Sequence, residues 1–152
     1  MSTYHYKSVQ WLPVGINEAW KFFSSARNLA TITPPDMNFV IKTELDDREI
    51  YEGMTIEYAV SPLFKIPVYW KTEIAQVNRL YLFMDRQLKG PFALWEHTHT
   101  FKEERDGTLM VDSVKYRLPL GPLGTLAHRL LVRKRLEYIF DYRRKVLENI
   151  FN

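Results

Sequence analysis

The sequence contains no cysteine. Disulfide bridges, thiol nucleophiles and cysteine-ligated metals are therefore excluded. Only six of the 152 residues are glycine, and none forms the G-x-G-x-x-G loop of dinucleotide-binding proteins. No apolar stretch is long enough to span a bilayer. No apolar run follows a charged N-terminal start, so no secretory leader is read and a cytoplasmic location is expected. Internal repeats, low-complexity tracts and linkers are also missing. Residues 1–152 are expected to form a single domain, a length that supports a sizeable core.

Aromatic residues are plentiful. Four Trp, nine Tyr and nine Phe make up 14% of the chain, within a hydrophobic share of 46%. Rings carry large apolar areas, so this supply suits a thick core or a large apolar cavity. The net charge of +3 is uneven. Residues 123–152 hold seven Lys/Arg against three Asp/Glu, and the remainder is nearly balanced. A basic terminal segment suits a solvated helix face, a membrane surface or an anionic ligand.

The order of elements follows from periodicity and breakers. Tyr4–Leu12 reads as a strand ended by Pro13. A short helix follows, with Asn17 as N-cap and Glu18 in its first turn. A second short helix is expected over Arg27–Ile32, stopped by Thr33-Pro34-Pro35. Strands are predicted over 39–44, 54–60, 68–77, 80–88, 93–104 and 108–118. Asn78-Arg79 and Arg105-Asp106-Gly107 read as hairpin turns between them. After Pro119, Gly121, Pro122 and Gly124 no Gly or Pro recurs. Leu136, Ile139, Phe140, Val146, Leu147 and Ile150 fall at helical spacing, which predicts a long terminal helix.

A second stripe, Leu123, Leu126, Ala127, Leu130 and Leu131, points nearly opposite to the first at about 100° per residue. The change of phase falls around 132–135. It implies a broken helix or first turns packed on a different surface. The sum is an α+β architecture. A curved antiparallel sheet of about seven strands wraps a long C-terminal helix, with two short helices after the first strand. Space between sheet and helix is the candidate site.

Several local runs carry a resemblance. Leu12-Pro13-Val14, Ala19-Trp20-Lys21-Phe22-Phe23 and Asn28-Leu29 resemble the opening of the START and birch-pollen-allergen superfamily, often called SRPBCC. Ile32-Thr33-Pro34-Pro35, Gly90-Pro91-Phe92 with Trp95-Glu96-His97, and Pro119-Leu120-Gly121-Pro122-Leu123-Gly124 resemble one bacterial branch of it. There the domain occurs alone or fused to an epimerase-like protein sometimes labelled a cell-division inhibitor. The lack of a dinucleotide fingerprint matches the stand-alone form. The resemblance implies a helix-grip fold with a hydrophobic tunnel. It also implies a range of roles: lipid and hormone carriers, polyketide cyclases and aromatases, and oxygenase domains. Fold alone does not choose among them.

The polar constellation expected in the tunnel is His97 and His99. Period two places Trp95, His97, His99 and Phe101 on one strand face. Phe83, Asp85 and Gln87 share a face with Tyr81 on the preceding strand. Met110, Asp112, Val114 and Tyr116 share one on the following strand. Tyr58, Trp70, Phe83, Trp95 and Tyr116 are the expected aromatic walls, with Asp85, Gln87, His97, His99 and Asp112 as polar contacts. Three chemistries fit a His-x-His pair beside carboxylates: a metal site, a general acid/base, or a self-satisfied polar network that orients a ligand's polar end.

The network reading leads. It implies no catalytic residue, metal or cofactor, and a hydrophobic small-molecule ligand such as a lipid, fatty-acid-like chain or polyketide. The alternatives are a cyclase or dehydratase with a histidine base, and a peripheral membrane module using 123–135. Basic residues on a helix whose apolar side faces the sheet, without a recognised motif, argue against a nucleic-acid partner. The 123–135 stretch would serve equally as a dimer contact, and sequence alone assigns no oligomeric state.

Overall fold

Alternation of apolar and polar residues along five long strands sets the architecture. A computed structural model describes residues 2–152. Seven strands form one sheet: β1 (Thr3–Leu12), β2 (Val40–Ile41), β3 (Thr55–Val60), β4 (Val68–Asn78), β5 (Leu82–Lys89), β6 (Leu94–Glu104) and β7 (Gly107–Arg117). Their order is β1-β7-β6-β5-β4-β3-β2, and every neighbouring pair is antiparallel. Two helices, α1 (Ile16–Phe23) and α2 (Asn28–Thr31), follow β1. After β7 come α3 (Pro122–Ala127) and the long α4 (Arg133–Ile150). This is the expected helix-grip arrangement.

The inner face follows period two. Thr108, Met110, Asp112, Val114 and Tyr116 are all buried on β7, and His97, His99 and Phe101 on β6. Trp70, Thr72 and Ile74 do the same on β4. Register shifts at Lys71/Thr72 and between Ile74 and Gln76 bend β4, which is how bulges curve a sheet around a helix. Trp20 of α1 is 1% exposed and meets Phe83 and Phe101 edge-on, at 5.9 and 5.7 Å between centroids. It closes one end of the core.

Four local expectations are corrected. The helix α1 is capped by Gly15, whose carbonyl accepts the Ala19 N–H, so Asn17 lies inside the first turn and not at the cap. The strand expected over 39–44 pairs only at Val40–Ile41. Lys42 N–H and Thr43 N–H both turn to the same Glu57 carbonyl, which ends regular pairing. The β4–β5 connection is longer than two residues, and Tyr81 stands in it 51% exposed rather than on the inner face of β5. The β6–β7 hairpin turns on Arg105-Asp106, both at positive φ (53° and 61°), and Gly107 is already in β7. Two left-handed residues make the tight turn whose twist matches a hairpin.

The phase change in the terminal helix has a specific cause. His128–Val132 forms one π turn, and the helix continues through it without a break. A π turn holds an extra residue and rotates what precedes it. Val132 is buried on the α4 side, whereas Leu123, Leu126 and Leu130 are 67%, 45% and 56% exposed. Among the described residues no helix is long and apolar enough to cross a membrane.

The basic residues of α4 also cover the free edge of β1. Arg133 Nη1 donates to the His5 carbonyl at 3.2 Å, and Arg144 Nη2 to the Val9 carbonyl at 2.6 Å. Gln10 Nε2 returns a bond to the Arg144 carbonyl at 3.1 Å.

Gly107 is required by a close approach. A Cβ there would collide with the Leu12 carbonyl oxygen and stand 2.6 Å from the Trp11 ring. Gly107→Ala is expected to destabilise the protein by about 1–3 kcal/mol, the usual cost of overpacking. Urea unfolding measures it, and an unchanged midpoint would show that the β1–β7 junction yields freely.

Candidate functional site

A cavity of about 300 Å³ lies between the sheet and α4. Its wall is assembled from β3 to β6, from α1 and α2, and from α4 through Leu136, Ile139, Phe140 and Arg143. Most of that wall is apolar. The aromatic side chains interlock. Trp70 stacks with Tyr58 at 5.9 Å and meets Trp95 edge-on at 5.3 Å.

Seven of the ten expected site residues line the cavity: Tyr58, Trp70, Phe83, Asp85, Trp95, His97 and His99. Three do not reach it. Gln87 exchanges two hydrogen bonds with the Phe92 backbone, at 2.8 and 3.0 Å, and pins the β5–β6 loop. The hydroxyl of Tyr116 reaches 2.7 Å to His128 Nε2 on the π turn. Asp112 is 1% exposed and sits behind the histidines. The first two were expected on strand parity alone, which fixes a face but not how far along the sheet a side chain sits.

Strand register builds the polar cluster. Asp85 is opposite His97 on β5–β6, and Asp112 is opposite His99 on β6–β7. Each histidine bonds the other's partner. His97 Nε2 is 2.8 Å from Asp112 Oδ1, and His99 Nε2 is 2.8 Å from Asp85 Oδ2. The two rings stack at 3.8 Å, and His99 stacks on Phe83 at 4.0 Å. His99 Nδ1 lies 3.1 Å from Asp112 Oδ1, close enough for ionic attraction but without hydrogen-bond alignment.

Sequence reasoning missed the fifth member. Arg143 of α4 is 7% exposed, and its Nη2 is 3.5 Å from Asp112 Oδ1. The signal was present. Leu136, Phe140, Arg143 and Leu147 are the buried row of α4, and a charged residue in an apolar stripe marks a charge taken into the core.

Electrostatics assigns states to these groups. Burial alone would raise the Asp112 carboxyl, but the Arg143 guanidinium and the two imidazoles overcome it and hold Asp112 well below the ordinary carboxylate value. Asp85 is also lowered, its burial being outweighed by the His99 bond and neighbouring cations. Burial disfavours the charged form of both histidines. At His99 the two carboxylates win and its pKa is raised; at His97 burial and the charge of His99 win and its pKa is lowered. The two carboxylates therefore favour the charged form at His99 more than at His97, with the Arg143 guanidinium beside them.

One ligand atom each from Asp85, His97 and His99 lies within 4.8 Å of the others. A cation on His99 Nε2 would have to displace the proton shared with Asp85, whereas His97 could offer Nδ1 and keep its Nε2–H on Asp112. It would also sit near the Arg143 guanidinium. The trio thus has the donors for a cation, with the positive charge of Arg143 opposing it.

No protein-family model matches the chain, and no curated protein does. Solved structures do. Norcoclaurine synthase of Thalictrum flavum, solved with a transition-state analogue, matches with a TM-score of 0.68 at 15% identity over 99% of this chain and 98% of that one. The major latex-like protein 151 of Panax ginseng matches at 0.69 with 10% identity, over 99% and 98%. A protein of Thermus thermophilus matches at 0.67 with 18% identity, over 96% and 95%. The likeness runs the length of the chain, and what it shows is the shared helix-grip fold.

Asp112→Asn is expected to cost about 3–5 kcal/mol at neutral pH, because it strips Arg143 of its buried counter-charge. The depressed pKa of Asp112 contributes stability that is complete above the unfolded carboxylate value of about 3.9 and is lost as pH falls through the folded value. Denaturant melts across the acid range should show that slope in the parent and a shallower one in the variant.

Proposed function

We propose that this protein binds a hydrophobic small molecule inside the cavity between its sheet and α4. The single observation that supports this most is an apolar cavity of about 300 Å³ whose lining includes the buried His97 and His99 with Asp85 and Arg143. Apolar walls supply affinity at roughly 25 cal/mol per Å² buried, and a few placed polar groups supply orientation. The ligand class is a lipid, fatty-acid-like or polyketide molecule. Tyr58, Trp70, Phe83 and Trp95 hold its body, and His97, His99 and Asp85 meet its polar end. Small molecules are named with a structural neighbour too: norcoclaurine synthase is described in complex with dopamine and hydroxybenzaldehyde.

A second reading is favoured by the His97–Asp112 contact. A buried carboxylate 2.8 Å from Nε2 fixes the tautomer and leaves the other ring nitrogen free to take a proton. In a cyclase or dehydratase, that histidine would serve as the base.

A third observation concerns the surface. Leu123, Leu126 and Leu130 are exposed beside Arg129, Arg133 and Lys134, a pairing that suits an anionic lipid surface. On this reading the π-turn segment 123–135 rests on the membrane as the ligand enters or leaves.

Native mass spectrometry of protein purified from its own host should show a bound apolar molecule in stoichiometric amount. An empty protein, unshifted in melting temperature across a lipid and polyketide library, would sink the binding reading. With the released molecule in hand, His97→Gln should change affinity alone in a carrier; loss of turnover with retained binding would establish the enzyme. Separately, the protein should co-sediment with phosphatidylglycerol vesicles at low salt and release at high salt. Equal binding to neutral phosphatidylcholine, or none to either, would remove the membrane contact.

A further inference from the structure

The polar end of the cavity contains hydrogen-bond donors that nothing in the protein uses. Arg143 Nε has no hydrogen-bond partner, although the residue is only 7% exposed and lines the cavity. The carboxylate within ion-pair distance, Asp112 Oδ1, is 3.5 Å from Nη2 and is already bonded to His97 at 2.8 Å. The guanidinium plane is held between rings, with Cζ 5.6 Å from the Phe23 centroid and 5.7 Å from that of Phe140. Trp70 Nε1 is a second unpartnered donor on the cavity wall, in a residue 6% exposed. Leaving a buried donor unmade is costly, more so when it is charged. A charged guanidinium on the cavity wall, short of partners, calls for an acceptor supplied by the ligand.

The carboxylates already present decide what kind of acceptor. Asp85 and Asp112 both stand in the buried cluster with Arg143 and the two histidines. A carboxylate or phosphate would bring a further negative charge into a buried site beside two others, which is penalised. A neutral carbonyl needs only the donor. We infer that the cavity selects ligands carrying a neutral carbonyl, a ketone, ester or amide, on an otherwise apolar body, with the Arg143 guanidinium donating to that oxygen. This rests on the binding function proposed above and narrows its ligand class. Arg143 is then the specificity-determining residue.

Three probes of similar shape test it: methyl naphthyl ketone, ethylnaphthalene and naphthoate, titrated by calorimetry at neutral pH. The ketone should bind at least about tenfold more tightly than ethylnaphthalene, as a hydrogen bond from a charged donor is worth that or more. It should also exceed naphthoate. In the parent protein, the infrared carbonyl band of the bound ketone should shift to lower frequency than in hexane. In the charge-balanced double variant Arg143→Met with Asp112→Asn, the preference over ethylnaphthalene should vanish and the band should return. Should that variant not fold, the infrared band of the parent decides alone. An unshifted band overturns the inference, as does naphthoate binding as tightly as the ketone. Equal binding of ketone and ethylnaphthalene also overturns it while leaving the binding function intact. No binding of any probe counts against that function as well.

Discussion

A carboxylate that is 1% exposed stays ionised only if cations stand against it, and Asp112 of β7 is such a group. Its compensation comes from three directions. His97 and His99 reach it from β6, and Arg143 reaches it from α4. These ties fix more than charge. They join the middle of the sheet to the helix it wraps, across the region where the core is hollow. Hydrophobic packing holds α4 at its far end, where Leu147 is fully buried and Phe151 joins the Trp20 cluster. In the middle the Arg143–Asp112 pair adds a polar tie to the apolar contacts of Leu136 and Phe140. The cavity and the buried ions are two sides of one arrangement, since a packed core there would have had no place for five ionisable side chains.

Much of this was legible in the sequence because strands report their faces directly. Period two put Trp95, His97, His99 and Phe101 inward, and put Asp112 on the same face of the next strand. Both inferences match the register. What parity could not supply is distance along the strand and the reach of a side chain. Gln87 faces the correct way yet spends its amide on the Phe92 backbone, and the Tyr116 hydroxyl goes to His128. Arg143 was hidden for a different reason. A helix stripe is read by its apolar members, so the one charged member between Phe140 and Leu147 was passed over as surface. The phase change near 132 was visible as a conflict between two stripes, but periodicity does not distinguish a break from a π turn that keeps the helix continuous.

The opposite shifts of His97 and His99 show how one small cluster gives two like side chains different duties. They stack on each other and share both carboxylates, so only one can keep its proton at little cost. His99, with Asp85 at 2.8 Å and Asp112 at 3.1 Å, is pulled toward the charged form, and burial pulls His97 the other way. Such asymmetry serves a binding site, which then presents a fixed pattern of donors and acceptors. It equally serves proton transfer, which needs a base that is not already protonated. Geometry of this kind separates the roles of two residues more readily than it separates a carrier from an enzyme.

The arginine caps on β1 bear on how the molecule behaves in a crowd. An edge strand normally offers its unpaired carbonyls as a template for another chain. Here the His5 and Val9 carbonyls already receive guanidinium groups from Arg133 and Arg144. At the opposite edge β2 has two residues, too short to seed a new strand. Both borders are thereby made poorer templates for growth of the sheet from one molecule into the next. The excess of positive charge in the last thirty residues, which as a bare sequence suggests an outward-looking partner, is partly spent inward as insulation against polymerisation.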